Sequence, residues 1–426
     1  MKILFLFYKT MKIHIYFFLF LIHLTLSSYA QSQNNQSRVY RKRMNNCVST
    51  LLPDMNRIDS MLKEDLLQRT QCGLMVYDLT ADTVLLKIGE RMQMRPASVM
   101  KTLTATTALH ELGGAYCYTT SLYMTGKVKR HVLQGDLYIK GGYDPVFGTD
   151  DMAAFIHALQ KKGIRNIAGT IYADVSLKDT LPKGSGWCWD DPDMKQTPLL
   201  YQADDVFMDR FLQELDRADI IHSPYWHTAV TDSNAVLIGY RSHSINQILM
   251  RMLKESDNTY AESLFYQLGA MERKAYPSME QSAQKVRQLI ADCLGMNTDY
   301  CRIADGSGLS LYNYLTPLLV VNMLKYVYHH TPIWDCLYPA LPIAGCDGTL
   351  AQRMTSGPAY NNVHAKTGTV TGVNTLAGYC TAANGHILAF AIFNQGQLHS
   401  KEARNWQDRF LQILLEQPQA TDNPLP

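Results

Sequence analysis

The sequence predicts an α+β fold: one five-stranded antiparallel sheet flanked by helices, with an inserted, strand-rich domain. Three observations carry this. Two strand-like runs near the start, Cys72–Asp78 and Thr83–Ile88, are joined by a turn at Leu79-Thr80-Ala81-Asp82. Three more lie near the end, Val363–Thr371, Thr375–Thr381 and His386–Asn394, with reversals at Gly372 and Asn384-Gly385. Between these groups, from about Tyr118 to Gly239, helical periodicity is weak at first and short runs such as Gly135–Ile139 recur. The sheet is therefore expected to close by pairing early strands with late ones.

The remaining elements follow in chain order. Residues 1–30 read as a secretory signal: Lys9 and Lys12 precede an apolar run from Ile13 to Leu26, and Ser28-Tyr29-Ala30 offers small residues for cleavage. Met1 and Met11 serve equally well as translation starts. The run falls short of the roughly 20 residues that a spanning helix needs, so no stable membrane span is expected and the mature chain should start near Gln31. Residues 31–50 form a polar tail rich in Gln, Asn and Arg. The main domain is expected at 51–117 and 240–420, with the insertion at 118–239. In it, a helix is expected over about Asp54–Leu67, and Pro96 leads into another over Ser98–Leu112, stopped by Gly113-Gly114. The chain turns helical again from Ser244. A final helix, about Lys401–Gln417, sets Trp406, Phe410, Ile413 and Leu414 on one face.

Composition narrows the function classes. The chain has 426 residues, 46% of them hydrophobic, enough for a sizeable core and more than one domain. Setting aside Lys2, Lys9 and Lys12 of the leader turns the formal +2 into −1, which gives no basic face for nucleic acid. Nine cysteines suit an oxidising compartment, although an odd number cannot all pair within one chain. Cys293 with Cys301 and Cys336 with Cys346 are the closest pairs, each either a local disulfide or two small buried hydrophobes. C-x-x-C is absent and His110-Glu111 lacks the second histidine of H-E-x-x-H, so neither a metal nor another cofactor is expected.

Chemistry enters with three motifs in order: Ser98-Val99-Met100-Lys101, Ser256-Asp257-Asn258 and Lys366-Thr367-Gly368. Ser98 and Lys101, three apart on a helix, share a face. A serine hydroxyl needs a base to become a nucleophile. A lysine can be that base if burial and a second cation, here Lys366, lower its pKa. Ser256 is placed to relay a proton toward the leaving amine and Asn258 to hold a substrate amide. Asp257 reads equally as a loop carboxylate or a functional one. Lys366 and Thr367 suit a terminal carboxylate, and Gly368 allows a substrate backbone to approach closely. The N–H groups of Ser98 and Thr369 would then form an oxyanion hole.

Single matches are weak. Ser60-Met61-Leu62-Lys63 and Ser282-Ala283-Gln284-Lys285 also satisfy S-x-x-K, and Ser244-Ile245-Asn246 satisfies S-x-N. Only Ser98 combines a preceding Pro-Ala loop, a helix start and the correct order. G-x-S-x-G is absent, which disfavours an α/β-hydrolase.

The match extends further. With Arg95–Lys101, Lys254–Asn258, Asp305-Gly306-Ser307-Gly308-Leu309-Ser310, Ile343–Leu350 and Ala365–Thr369, the chain resembles the class C low-molecular-mass penicillin-binding proteins, D-alanyl-D-alanine carboxypeptidases and endopeptidases. The resemblance runs from Cys72 to about Asn394. It implies a β-lactamase/transpeptidase-like domain with the serine between its two halves, and an insertion after the serine helix. It also implies peptidoglycan peptides as substrates, β-lactams as covalent inhibitors and a periplasmic location. Gly141-Gly142-Tyr143-Asp144-Pro145 looks like the family's glycine-rich segment, whose aspartate can face a diaminopimelate amine. Tyr143 stands where the family has glycine. Gly186–Asp191 also looks like a family element, with Trp187 and Trp189 read as packing.

The expected cycle is acylation of Ser98 by the penultimate D-alanine, loss of the terminal D-alanine, and hydrolysis. Two rivals remain. A serine β-lactamase would carry a deacylating glutamate in an E-x-x-L-N loop, absent between Ser256 and Lys366; Glu262 reads as a solvated side chain. A non-catalytic wall-binding module would have no need of all five of Ser98, Lys101, Ser256, Asn258 and Lys366.

Overall fold

The computed structural model describes residues 55–181, 183–191, 204–272 and 274–416. The expected leader and polar tail lie outside these residues. The first expected helix is two, α1 (Met55–Leu62) and α2 (Asp65–Arg69), because Glu64 between them is extended. Next come β1 (Gln71–Asp78) and β2 (Thr83–Ile88), then a 3-10 turn, Ala97–Val99, which feeds α3 (Met100–Leu112).

The insertion starts with β3 (Cys117–Met124), β4 (Lys127–Lys129), β5 (Val132–Gln134) and β6 (Leu137–Lys140). It continues through α4 (Thr149–Lys161), β7 (Asn166–Ile167), β8 (Ile171–Asp174), α5 (Asp204–Arg217), β9 (Trp226–Thr228) and β10 (Val236–Ser244). Its larger sheet has the order β10-β3-β6-β8-β9, antiparallel at β3 and parallel from β6 to β9. A core of its own forms from Leu122, Ile139, Phe155, Ile171, Phe207 and Phe211. The insertion is strand-rich as expected, and helices α4 and α5 pack on its larger sheet through this core.

The chain then turns helical through α6 (Ile245–Lys254), α7 (Asn258–Ala270), α8 (Met279–Asp292), α9 (Pro317–His329) and α10 (Thr331–Leu337). It closes with β11 (His364–Val370), β12 (Val373–Thr381), β13 (Ile387–Gln395) and α11 (Ser400–Leu415). The second sheet has the order β11-β12-β13-β1-β2, antiparallel throughout, with Gln71 facing Gln395 and Asp78 facing Leu388. Side chains alternate across it. Met75, Ala377, Tyr379 and Phe393 enter one core with Leu103 of α3 and Leu264 of α7. Leu74, Val76, Leu376 and Phe390 enter another with Ile58 of α1 and Trp406 and Phe410 of α11.

Helix α3 runs through the first of these cores and is buried from Met100 to Leu109. Its threonines remain satisfied because their hydroxyls donate to carbonyls: Thr102 to Val99, Thr104 to Gly306, Thr106 to Thr102, Thr107 to Leu103. The eight cysteines among the described residues are free thiols, so neither close pair forms a disulfide. Two of the competing motif matches have ordinary roles: the Ser60 hydroxyl donates to Asn56 O on an exposed helix face, and Ser244 caps α6.

Candidate active site

Ser98 sits on the 3-10 turn that precedes α3, where Ala97 is held in the left-handed region at φ 45°. Such a conformation costs an alanine about 1 kcal/mol and persists only where neighbours enforce it. Two neighbours do so. The Thr375 hydroxyl of β12 donates to Pro96 O at 2.7 Å. On the other side, Gly308 packs so tightly that a Cβ there would lie 1.8 Å from Ala97 O. The nucleophile turn is thus gripped between the sheet and the Asp305–Ser310 loop.

Lys101, one turn on, is wholly buried. Its Nζ lies 3.0 Å from Ser98 Oγ, 2.7 Å from Asn258 Oδ1 and 2.8 Å from Ser307 O, so each ammonium proton has an acceptor. Burial lowers its pKa to about 8, against the pull of Asp305, Glu262 and Asp257. Lys366 on β11 is also wholly buried, and burial together with Lys101 pushes it well below the usual lysine range. Of the two causes expected to lower Lys101, burial and Lys366, burial is the main one. Repulsion between two ammonium groups is mutual, but Lys101 has three carboxylates to hold its proton, and Lys366 yields first.

Ser256 and Asn258 flank a sharp corner between α6 and α7. Ser256 takes a left-handed φ of 59° and is partly exposed. Asn258 opens α7 and is the member of this motif that touches Lys101. Asp257 resolves as a helix cap: its Oδ1 accepts from Thr259 N at 2.9 Å and its Oδ2 from Arg251 Nε at 3.1 Å.

Strand β11 passes beside the serine. Alternation turns Lys366 and Gly368 inward, while Thr367 is partly exposed and Thr369 exposed. Lys366 Nζ donates to Thr367 O at 2.8 Å, and the Thr367 hydroxyl donates to Thr349 Oγ1 at 2.7 Å. Thr369 Oγ1 accepts from Asn374 Nδ2 at 3.0 Å. Gly368 is required by a different contact from the one expected. A Cβ would lie 2.1 Å from Thr375 Oγ1 and 2.9 Å from both Pro96 O and Ser98 N. The missing side chain makes room for the serine's own backbone.

Several residues with a direct bearing on the site went unassigned in the sequence reading. Ser307 supplies the carbonyl that holds Lys101. Asp305, also buried, accepts from Gly308 N and Asn313 Nδ2 at Oδ1, and from Trp187 Nε1 and Ser310 N at Oδ2. Glu262 is not solvated, contrary to expectation. It is wholly buried one turn after Asn258, with Oε1 2.8 Å from Ser307 N and Oε2 3.3 Å from Gly306 N. Burial and the nearby Asp305 raise its pKa to about 8. The signal that pointed here was the paired glycines of Asp305-Gly306-Ser307-Gly308. Both allow close packing: a Cβ on Gly306 would meet Phe265 at 2.4 Å.

The insertion reaches this loop through Trp187 and through Ser310 Oγ, which donates to Ser185 O at 2.6 Å. Trp187 packs as expected, but Trp189 is 90% exposed and does not. Asp144 is wholly buried, with Oδ1 accepting from Val146 N at 2.9 Å and Oδ2 2.6 Å from His243 Nδ1, so its carboxylate is engaged within the fold. Beside it Tyr143 has a φ of 50°, a backbone region that favours glycine, and its ring packs edge-on against Tyr266 at 5.7 Å.

A serine with a buried lysine partner, bridged by an asparagine and flanked by a lysine strand, defines a serine hydrolase of the penicillin-recognising class. Its relatives make this specific. The chain belongs to the D-Ala-D-Ala carboxypeptidase 3 (S13) family, which matches residues 55–203 and 201–417, and it is a serine-type D-Ala-D-Ala carboxypeptidase. It is 25% identical to the D-alanyl-D-alanine carboxypeptidase DacB of Haemophilus influenzae, over 84% of this chain and 93% of that protein. It is 24% identical to the D-alanyl-D-alanine carboxypeptidase of Actinomadura sp. strain R39, over 80% of each. In fold it is similar to penicillin binding protein 4 of Haemophilus influenzae, with a TM-score of 0.75 over 84% of this chain and 99% of that one at 22% identity.

Proposed function

We propose that Ser98 carries the acyl-enzyme of this carboxypeptidase, with Lys101 as its base. The observation that carries the reading is the 3.0 Å contact between Lys101 Nζ and Ser98 Oγ, made by a wholly buried lysine. Neutral Lys101 takes the Ser98 proton as Oγ bonds to the penultimate D-alanine carbonyl carbon. The tetrahedral oxyanion collapses, the C–N bond breaks, and the terminal D-alanine leaves with a proton relayed through Lys101 and Ser256. Water then adds to the ester carbonyl, returns the proton to Oγ and frees the shortened peptide. Asn258 both orients Lys101 and offers its amide to the substrate. Thr367 and Lys366 receive the terminal carboxylate, and the N–H groups of Ser98 and Thr369 receive the oxyanion, a contribution of about 3 kcal/mol per donor. In a cross-linked substrate the same attack releases the acceptor strand, which is endopeptidase action.

The leader at 1–30 supports work outside the cytoplasm, in the periplasm, and among the described residues no helix is long and apolar enough to cross a membrane. The test is intact-mass spectrometry of the protein mixed with a penicillin, with the adduct located by peptide mapping. A lasting adduct on Ser98, together with loss of D-alanine release in Ser98→Ala, is expected. D-Alanine release retained by Ser98→Ala would overturn the assignment.

A further inference from the structure

Glu262 belongs to none of the three motifs, yet its place in the fold ties it to the reaction. It lies four residues after Asn258 on α7, so the two side chains project from one helix face. Asn258 meets Lys101 directly. Glu262 meets it at one remove, accepting from the N–H groups of Gly306 and Ser307, while Ser307 O accepts from Lys101 Nζ at 2.8 Å. A wholly buried carboxyl needs a reason to be kept. Each of its two oxygens accepts from a backbone N–H, which a carboxylate can do and a glutamine, with one acceptor oxygen, cannot.

We propose that Glu262 is a positioning residue for acylation: it fixes the backbone at Gly306 and Ser307, so that the Ser307 carbonyl anchors Lys101, and its charge sets how readily that lysine gives up its proton. The proposal rests on the Ser98–Lys101 reading above. The groups that bear on Lys101 are Glu262, Asp305 and Asp257 on the acidic side and Lys366 on the basic side. Those that bear on Glu262 are Asp305 and Lys101, with Tyr143 and Tyr266 close enough to feel its charge. Both Glu262 and Lys101 have values near 8, so the two titrate together and the proton on one alters the other. An ionised Glu262 favours the ammonium. A protonated Glu262 favours the free amine that attack on the substrate requires.

The experiment measures Ser98 acylation by a penicillin against pH, by time-resolved intact mass, in the wild type, Glu262→Gln and Glu262→Asp. Removing the charge in Glu262→Gln should move the acid limb of the profile down by about one pH unit, the scale of one neighbouring charge. Glu262→Asp keeps the charge but shortens the reach to Ser307 N, so its limb should stay in place while its plateau falls about tenfold. An unmoved limb in Glu262→Gln, whatever its plateau, overturns the proposal, because a purely structural role would lower the rate without shifting the titration. Should Glu262→Gln fail to fold, a wild-type plateau in Glu262→Asp overturns it instead. A wild-type protein that takes no adduct on Ser98 at any pH refutes the underlying acyl-enzyme reading, which is a distinct outcome.

Discussion

The rate of Ser98 acylation should rise about tenfold per pH unit below 8 and level off above it. The perturbation is pH alone, and the magnitude follows from Lys101. An exposed lysine near 10.5 is neutral in only about 0.03% of molecules at pH 7, whereas one at about 8 is neutral in about 10%. The fold thus raises the supply of base roughly 300-fold, equivalent to about 3 kcal/mol. Between pH 6 and 8 the neutral fraction climbs from about 1% to about 50%, so the rate should gain roughly 50-fold. Glu262 ionises in the same window and draws the proton back toward Lys101, which broadens the upper part of the limb. Stability has its own signature. The folded value lies below the unfolded one, so the folded state binds fewer protons between about 8 and 10.5, and this lysine's destabilising effect, full below 8, fades as pH rises through that window. Stopped-flow mixing with a fluorescent penicillin reads the acylation rate directly. A flat profile between pH 6 and 8 would refute the base assignment, and an inflection near 6.5 would point to a histidine.

Three substitutions test the supporting structure. Gly368→Ala places a methyl against Thr375 Oγ1, Pro96 O and Ser98 N, so acylation should fall about 100-fold through misplacement of the nucleophile; an unchanged rate constant counts against the close approach of β11. Trp187→Phe keeps an aromatic ring, though a smaller one, and removes the N–H donated to Asp305, which should lower stability by about 1.5–3 kcal/mol in urea titration, and a midpoint equal to wild type would show that this bond contributes nothing. Asp144→Asn should lower the melting temperature while leaving unchanged the preference between stem peptides with free and acetylated diaminopimelate amines. A collapse of that preference would make Asp144 a substrate contact.

Much of this was legible in the sequence because local signals and global pairing agreed. The paired turns around Gly372 and Asn384-Gly385, both glycines at positive φ, mark the reversals of β11 to β13, and alternation fixes which face each strand buries. The order of Ser98, Ser256 and Lys366 sufficed to choose among competing matches. What stayed hidden were facts of burial. A glutamate four residues after Asn258 reads as solvated until α8 and the Asp305–Ser310 loop enclose α7. The helices of the insertion were obscured by the short strands around them, although Met152, Phe155, Ile156 and Leu159 already stand at helical spacing. Asp144 could be placed on a family segment, but its engagement with His243, 99 positions away in sequence, had no local sign.

Several unfavourable features of the fold meet at the active site. Ala97 and Ser256 hold left-handed backbone, Lys101 and Lys366 are buried amines of which one cannot be charged without opposing the other, and Glu262 and Asp305 bury carboxyls beside them. Elsewhere the two cores of the main domain are apolar and the threonines of α3 are satisfied, which leaves stability to spare for a strained centre. The strain has a chemical use. Beside three carboxylates but in water, a lysine would keep its proton and be a poor base; buried with none, it would be neutral but unanchored. Burial pulls Lys101 down while Asp305, Glu262 and Asp257 limit the fall, and Asn258, Ser307 and Ser98 fix where the nitrogen points. A substitution that relieved the burial of Lys101 should therefore come at the expense of acylation, since the same desolvation that destabilises the fold is what makes Lys101 a base near neutral pH.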